Sequence, residues 1–264
     1  MTRTALITGA SSGIGAAFAE VFAAEGFDLV LTARRADRLA SVAQLIQQSH
    51  SRRVEVIVAD LSERGAAASL CDEVARRNLA IDVLINNAGY GISGTFVDSP
   101  WERHAAMLQV MVVALAELTH RLLPAMIRRR YGRILNVASL AALVPGPPGH
   151  TLYAASKALV VKFSESLAGE VLRHGIHVTA LCPGFTRSEF HDVTGTRDMM
   201  NRLPSWLWMD AGIVAREGFD AVMAGKPVHV PGWINKGVAT SARHLPASVV
   251  RAVGRRAAPR YRKS

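Results

Sequence analysis

Residues 4–15 read TALITGASSGIG, a short apolar run that passes directly into a turn rich in glycine and serine. The apolar run Thr4–Thr8 predicts a buried strand. The segment after the turn, Gly13–Glu25, has the apolar spacing of a helix and is closed by Gly26. A strand that enters a helix through a glycine-rich turn is typical of the first unit of an α/β sheet.

The rest of the sequence continues this alternation of short apolar runs and longer segments of helical period. The predicted strands are Thr4–Thr8, Asp28–Ala33, Arg53–Ala59, Asp82–Asn86, Arg133–Ala138, Ile176–Leu181 and Pro227–Val230. The predicted helices are Gly13–Glu25, Asp37–Gln48, Glu63–Arg77, Pro100–Arg130 with a kink or break at Pro124, Thr151–His174 and Ala211–Ala224. This pattern predicts an α/β fold, a Rossmann-like doubly wound parallel sheet flanked by helices. We expect one Rossmann-like domain over residues 1–235 and a basic C-terminal extension over 236–264.

The composition excludes a disordered protein, because half of the 264 residues are hydrophobic and 20% are charged. The formal net charge of +10 belongs almost wholly to the C-terminus. No Asp or Glu follows Asp220, whereas nine Lys and Arg do, so residues 1–220 carry only +1. The high isoelectric point is therefore a property of the tail.

The basic tail has three alternative roles. Residues 245–256 can form a short helix with valines on one face and Arg251 and Arg255 on the other, which could make a weak peripheral contact with anionic lipid. A solvated tail, or one that docks on another subunit, is the alternative we favour. Nucleic-acid binding ranks below both and we expect none, because the sequence contains no recognised module or aromatic stacking platform.

Cysteine and histidine usage bears on the compartment and on metals. Cys71 and Cys182 give neither a disulfide framework nor zinc-ligand spacing, and the nine histidines show no metal-ligand motif, so we expect no metal. The first predicted strand begins so early that we expect no signal peptide. The longest uncharged stretch, residues 134–156, contains three prolines, so it cannot form a continuous helix across a bilayer. We expect a cytoplasmic protein, with the tail contact described above as the only membrane association.

The glycine-rich turn is a candidate phosphate site. Gly9, Gly13 and Gly15 permit a tight turn and a close approach of the backbone to a pyrophosphate, with Ser11, Ser12 and Ile14 between them. The N-terminus of the next helix offers free N–H groups and the positive end of its dipole. A purely structural turn is the alternative.

The end of the second predicted strand bears on the choice of nucleotide. Folds that select NAD place a carboxylate here against the ribose 2′-hydroxyl, but this sequence has Arg34 and Arg35. Two guanidinium groups can pair with a 2′-phosphate, so we expect NADP(H) to be preferred over NAD(H). Two solvated arginines at a helix start are the alternative.

Polar residues also follow the third and fourth predicted strands. Asp60-Leu61 ends the third, and Asn86 is followed by Asn87-Ala88-Gly89 at the fourth, where open α/β sheets bind ligands. Asp60 has two compatible interpretations, a contact to adenine or a helix N-cap that forms a capping box with Glu63.

Tyr153 and Lys157 lie four residues apart, on one face of a predicted helix. A lysine ammonium near a phenol stabilises the phenolate and lowers its pKa from about 10 towards the range of an acid/base catalyst. Ser139 closes the fifth predicted strand and can donate a hydrogen bond to a substrate oxygen.

These motifs together resemble a known family. TGASSGIG at residues 8–15, NNAG at 86–89, Ser139, YAASK at 153–157 and Pro183-Gly184 occur in the order of the single-domain short-chain dehydrogenases/reductases, over roughly residues 2–232. The resemblance implies an NADP-dependent oxidoreductase of carbonyls and secondary alcohols, and a homodimer or homotetramer. It implies that Tyr153 is the general acid/base, that Ser139 binds the substrate oxygen, and that Lys157 binds the nicotinamide ribose.

The residues and the resemblance together give a set of cofactor-binding positions, with Thr186 implied to hold the carboxamide. They are Gly9, Ser11, Ser12, Gly13, Ile14, Gly15, Arg34, Arg35, Asp60, Leu61, Asn87, Ala88, Gly89, Tyr153, Lys157, Pro183, Gly184 and Thr186.

One position departs from the family pattern. The asparagine that the family carries in the helix before the fifth strand is Met111 here. That asparagine helps to hold a water that continues the proton relay from the lysine, and a thioether cannot donate a hydrogen bond. Either another group rebuilds the relay, or the protein is a weak or inactive NADP(H)-binding regulator or scaffold of the same fold.

The segment before the last predicted strand carries apolar side chains where the family places its substrate cover. They are Met199, Met200, Leu203, Trp206, Leu207, Trp208 and Met209. Methionine and tryptophan offer adaptable apolar surface, so we expect a small hydrophobic substrate such as a ketone, a 3-oxoacyl thioester or a steroid. Core or subunit packing is the alternative.

Overall fold

A computed structural model describes residues 2–92, 94–146, 149–189 and 204–244. Its strands form a single parallel sheet of order β3-β2-β1-β4-β5-β6-β7. The strands are β1 Thr4–Thr8, β2 Asp28–Ala33, β3 Val54–Val58, β4 Ile81–Asn86, β5 Gly132–Val137, β6 Ile176–Leu181 and β7 Val228–His229. This confirms the Rossmann-like doubly wound sheet.

Helices cover both faces of the sheet. They are α1 Gly13–Ala24, α2 Ala36–His50, α3 Ala66–Arg76, α4 Trp101–Leu108, α5 Leu115–Arg129, α6 Thr151–Val171, α7 Ala211–Met223 and α8 Trp233–His244. A π-helix, Gln109–Ala114, joins α4 to α5, and short 3₁₀ turns lie at Leu140–Ala142, Leu172–His174 and Ser205–Leu207.

The strands read as continuous apolar runs because both faces of the sheet are buried. Neighbouring residues of β1 show this, since Ile7 packs on the side of α1, α2 and α7, whereas Leu6 packs on the side of α3, α5 and α6. On the first side, Phe22 meets Phe27 and Phe219 edge to face with ring centroids 5.2 and 4.9 Å apart.

The strand order reverses direction between β1 and β4, which lie side by side although Ile7 and Ile85 are far apart in sequence. Such a switch point leaves a crevice at the carboxyl ends of the strands. The glycine-rich turn and the NNAG segment leave the sheet at this crevice, which places both at one site.

Three elements differ from the sequence prediction. The helix expected at Glu63 begins at Ala66, because Gly65 adopts a left-handed conformation (φ +80°) and serves as the N-cap. The helix after Pro100 does not end at Pro124, which lies inside α5, and its irregular turn is the π-helix. Helix α8 was not predicted, and it crosses the predicted domain boundary after residue 235, a division that stays a prediction.

The continuous helical run Trp101–Arg129 is long and apolar enough to cross a bilayer by length and composition alone. Its residues Met107, Met111, Leu118 and Met126 are buried against the sheet. Burial of this kind is what a core helix of a folded domain shows, so the run gives little evidence for a membrane span.

Candidate active site

The glycine-rich turn lies at the end of β1 with little room for side chains. Gly9 and Gly13 adopt left-handed conformations (φ +66° and +56°), which a side chain disfavours. A Cβ placed on Gly15 would overlap the carbonyl oxygen of Gly9. The first turn of α1 therefore lies directly against the backbone of the loop, as a pyrophosphate site at a helix N-terminus requires.

Thr8 and Asn87 hold this turn against the end of β4. The Thr8 hydroxyl accepts hydrogen bonds from the backbone N–H groups of Asn87 (2.9 Å) and Ala88 (3.0 Å) and donates to the Ile85 carbonyl. The Asn87 amide donates to the carbonyl oxygens of Thr8 (2.9 Å) and Gly9 (3.2 Å). The side chain of Asn87 thus fixes the shape of the loop.

Arg35 reaches from the end of β2 to the glycine-rich turn. Its guanidinium donates to the hydroxyls of Ser11 (3.1 Å) and Ser12 (2.9 Å) and to the carboxylate of Glu189 (2.9 Å). Arg34 lies nearby, with one nitrogen 3.7 Å from Asp60. The two arginines are thus at the end of the crevice where the resemblance implies the adenosine ribose.

Asp60 does not serve as the expected helix N-cap. Its Oδ1 accepts hydrogen bonds from the backbone N–H and the hydroxyl of Ser62, at 2.9 and 2.7 Å, and so closes a turn that precedes α3. The capping box with Glu63 is therefore wrong, because Gly65 starts the helix. Asp60 and the buried Leu61 remain on the wall of the crevice.

Ser139, Tyr153 and Lys157 meet at the other end of the crevice. Ser139 follows β5 and caps the 3₁₀ turn Leu140–Ala142, and it shares a hydrogen bond with Tyr153. Lys157 is only 6% exposed, and its Nζ donates to the Val137 carbonyl at 2.7 Å and lies 5.9 Å from the centre of the Tyr153 ring. The spacing of four residues in α6 thus places phenol and ammonium on one face, as expected.

Burial sets the protonation states at this end. It raises the pKa of Tyr153, against the opposing effect of the Ser139 hydrogen bond, and it lowers the pKa of Lys157 to about 8. From the sequence we expect the lysine to lower the tyrosine pKa, but burial raises it. Near neutral pH, Tyr153 is therefore a protonated phenol beside a lysine that is mostly charged.

Met111 lies in the π-helix and is 1% exposed. A Cβ on Gly89 would lie 3.3 Å from its Cγ and 3.7 Å from the Lys157 Nζ, so the methionine and the lysine both lie against the NNAG segment. π-Helices insert one residue into a helix and are frequent at functional sites. The irregular turn thus occurs where the resemblance expects an asparagine.

The segment after β6 forms the outer wall of the crevice. At Gly184 a Cβ would overlap the side chain of Asn235, which brings α8 against this wall. The buried Thr186 donates to the Gly184 carbonyl at 3.2 Å and pairs in a single parallel bridge with Met209. The bridge joins the two parts of the chain that flank residues 190–203.

These parts enclose one cavity of about 570 Å³. The predicted site residues that line it are Gly9, Ser11, Ser12, Gly13, Ile14, Arg34, Arg35, Asp60, Leu61, Asn87, Ala88, Gly89, Ser139, Tyr153, Lys157, Pro183, Gly184 and Thr186. Gly15 lies behind the loop rather than on the wall. The exposed backbone of the turn, the guanidinium groups at one end and the lysine at the other fit a dinucleotide.

The sequence interpretation missed part of the cavity wall. The additional residues include Leu140, Val144, His150, Phe185, Ser188, Glu189, Ile234 and Val238. His150 stacks edge to face on Tyr153 at 5.9 Å, and burial lowers its pKa, so its imidazole is neutral near pH 7. The apolar spacing of residues 233–244 was the available signal for α8.

The proposed substrate cover is only partly described. Leu207 lines the cavity, and Trp208 packs against Phe185 with ring centroids 5.9 Å apart. Trp206 is 63% exposed and does not line the cavity. Met209 contacts Asn235, while Met199, Met200 and Leu203 lie outside the described residues.

The two cysteines are free thiols. Burial raises the pKa of Cys71 to about 11 and that of Cys182 to about 12, so both stay protonated near neutral pH. Among the described residues, no three His, Cys, Asp or Glu side chains lie together as a metal site.

The chain is similar to characterised sequences and structures. Residues 3–198 match the family model described as short chain dehydrogenase. Nodulation protein G of Rhizobium sp. (strain N33) is 39% identical over 193 residues, which cover 72% of this chain and 76% of that protein.

Two solved structures share the fold over most of both chains. A short-chain dehydrogenase from Sphingobium yanoikuyae in complex with NADPH has a TM-score of 0.81 and 32% identity, and covers 97% of this chain and 93% of that one. A bulky-bulky ketone specific alcohol dehydrogenase from Comamonas testosteroni has a TM-score of 0.76 and 31% identity, with 91% and 92% covered.

Proposed function

The chain belongs to the short-chain dehydrogenase family of oxidoreductases, and on that premise we propose that it transfers hydride between NADP(H) and a hydrophobic carbonyl or secondary alcohol. The observation that carries the proposal is the single cavity that has Ser139, Tyr153 and Lys157 at one end and Arg34 and Arg35 at the other.

In the reductive direction the nicotinamide supplies the hydride when bound. Tyr153 donates its phenolic proton to the carbonyl oxygen, a role that suits a phenol whose pKa burial keeps high. Ser139 donates a hydrogen bond that holds the same oxygen. Lys157 remains charged at neutral pH and stabilises the phenolate left by proton transfer, while its hydrogen bond to Val137 fixes its position. In the oxidative direction the phenolate takes the proton back from the alcohol.

The preference for NADP(H) is supported by Arg35. Its guanidinium already binds two hydroxyls of the glycine-rich turn and so lies where a 2′-phosphate would pair with it. Asp60 accepts hydrogen bonds from Ser62 and lies 3.7 Å from a nitrogen of Arg34, so its carboxylate is paired with a cation at this end of the cavity. The structure of the Sphingobium relative is a complex with NADPH. Direct titration with NADPH and NADH tests the preference, and tighter binding of NADH would contradict it.

A hydrophobic substrate is supported by the outer half of the cavity. Leu140, Val144, Leu207, Ile234 and Val238 line it beside the neutral His150. Apolar walls with few polar groups favour a substrate that buries hydrocarbon next to its carbonyl. The Comamonas relative is specific for bulky-bulky ketones.

The central experiment is an NADPH-oxidation screen with ketones and 3-oxoacyl thioesters, run on the wild type and on Tyr153→Phe. We expect turnover with at least one hydrophobic carbonyl, and a loss in kcat of about 10²- to 10⁴-fold in the variant, because the proton donor is removed. NADPH binding measured by fluorescence should persist. A protein that binds NADPH but shows no turnover in either form would instead support a regulator or scaffold.

The remaining assignments stay predictions. We expect a homodimer or homotetramer, a cytoplasmic location and no nucleic-acid partner, with weak membrane contact limited to the tail. Sedimentation velocity of the full chain tests the oligomeric state.

A further inference from the structure

The segment that follows β6 carries a carboxylate, that of Glu189, which is bound to the arginine proposed for the 2′-phosphate. Arg35 donates to Glu189 at 2.9 Å, and a nitrogen of Arg38 lies 3.7 Å from the other carboxylate oxygen. The Arg35 hydrogen bond, with help from Ser12 and Arg38 and against the opposing effect of burial, lowers the pKa of Glu189. Glu189 is therefore ionised at neutral pH and acts as an anion on this guanidinium.

The same segment lies on the glycine-rich turn. A Cβ on Gly13 would be 2.8 Å from the Ser188 Cβ. At its other end the segment is fixed by backbone hydrogen bonds, since Arg187 donates to Met209 at 3.0 Å and Met209 to Phe185 at 2.9 Å. Glu189 thus lies two residues after the anchored Arg187, and its carboxylate reaches Arg35.

We propose that Glu189 is a specificity-determining residue, whose carboxylate competes with the 2′-phosphate of the nucleotide for Arg35 and Arg38. The inference rests on the proposed preference for NADP(H). Two anions on one guanidinium repel each other, so the carboxylate of Glu189 opposes the binding of the phosphate to Arg35. A nucleotide with a free 2′-hydroxyl leaves the ion pair in place. Glu189 therefore weakens the preference that Arg35 creates.

The exposure of the ion pair between Arg35 and Glu189 sets how strongly Glu189 weakens binding of the 2′-phosphate. The side chains of Arg35 and Glu189 are 43% and 35% exposed, so solvent and salt screen the pair. An exposed ion pair of this kind corresponds to about a two- to fivefold change in binding. The effect should shrink as the salt concentration rises.

The test measures calorimetric Kd values of the full chain for adenosine 2′,5′-bisphosphate and for 5′-AMP, which differ only in the 2′-phosphate. In Glu189→Gln we expect the bisphosphate to bind about two- to fivefold more tightly at low ionic strength, with 5′-AMP unchanged. The matched control is Glu25→Gln, because Glu25 forms a comparable exposed pair with Arg216 at the far end of α1. It should leave both Kd values unchanged.

A double-variant comparison separates a direct contact from a general charge effect. In the background of Arg35→Ala, Glu189→Gln should no longer tighten the bisphosphate by the same factor, since the shared guanidinium is absent. Equal tightening of both nucleotides, or the same gain in both backgrounds, would overturn the inference.

Two further outcomes distinguish a failure of the role inferred for Glu189 from a failure of the proposed NADP(H) preference. If the wild type prefers the bisphosphate and Glu189→Gln leaves that Kd unchanged or weaker, Glu189 has no such role and the NADP(H) preference stands. If neither protein discriminates between the two nucleotides, the NADP(H) preference itself is wrong, and the inference fails with it.

Discussion

At the scale of one residue, Lys157 shows how a buried charge in the site lowers the stability of the folded protein. Its ammonium is almost fully buried and has a pKa of about 8, because burial disfavours the charged form. A lysine held in this state weakens the folded protein, and with the catalytic role proposed above it would be a trade-off of the kind common at active sites.

We expect Lys157→Met to raise the free energy of unfolding by about 3 kcal/mol at pH 7, since the buried charge is removed. The folded-state pKa of about 8 lies below the 10.5 of a lysine in the unfolded chain. Between these values the unfolded chain binds the extra proton, so the stability of the wild type rises with pH and the gap to the variant closes. Urea unfolding at several pH values between 7 and 10.5 measures this. A variant less stable than the wild type at pH 7 would contradict it.

Met111 gives the second residue-scale prediction. We expect Met111→Asn to retain or raise kcat, because an amide can hydrogen-bond where the thioether cannot. We also expect it to lower the unfolding free energy by about 1–3 kcal/mol, because the site is apolar and buried. Steady-state kinetics and thermal unfolding test both, with Met111→Leu as the control that keeps the volume. A large loss of kcat in a folded variant would show that the methionine itself serves the site.

At this scale the sequence predicts which residues lie in the site better than it predicts what those residues contact. The cavity collects Ser139, Tyr153, Lys157 and Arg35 as expected. The direction of the Tyr153 pKa was not predictable because it depends on burial, and the pairing of Arg35 with Glu189 was not because these residues are 154 positions apart in sequence.

At the scale of elements, the unit β1-turn-α1 depends on backbone contact at Gly15. We expect Gly15→Ala to abolish nucleotide binding and to destabilise the protein by more than about 2 kcal/mol, because the new Cβ overlaps the Gly9 carbonyl. Gly169→Ala is the matched control, since Gly169 lies inside α6 with open space around it. That change should stabilise the helix by up to about 1 kcal/mol. Fluorescence titration and thermal unfolding distinguish the two, and normal NADPH binding by Gly15→Ala would contradict the close approach.

Elements with strong apolar periodicity were predicted nearly to their bounds, as β1, β2 and β6 show. The π-helix Gln109–Ala114 was not, because its extra residue leaves the local apolar spacing almost unchanged. The start of α3 predicted at Glu63 was wrong, because the left-handed Gly65 is the N-cap and the helix begins at Ala66. Local conformation at one residue, rather than hydrophobic pattern, decided these cases.

At the scale of the whole molecule, most of the net positive charge lies in the C-terminal residues and not in the folded domain. Helix α8 contributes Ile234 and Val238 to the cavity, so a test of the tail must spare residues up to His244. A chain shortened after His244 loses six of its basic residues and no acidic ones.

We expect this shortened chain to retain NADPH binding and thermal stability, since the described cavity is intact. If the tail contacts lipid, it should also lose affinity for anionic vesicles at low salt, at about 1 kcal/mol for each basic residue near the surface. Vesicle co-sedimentation of both forms measures this, with neutral vesicles as the control. Equal binding by both forms would assign any membrane affinity to another surface and leave the tail solvated or docked on a subunit.

The position of β1 in the middle of the sheet also affects how the protein is made. One edge of β1 pairs with β2 soon after synthesis, but the other waits for β4, more than 70 residues later. Until then a long apolar strand edge stays open to the wrong partner, a hazard for a nascent chain. The Thr8 hydroxyl that shapes the glycine-rich turn finds Asn87 and Ala88 only when that edge closes. We therefore expect nucleotide binding only after β4 has been synthesised and has joined β1, and bound nucleotide should favour chains whose two half-sheets have joined.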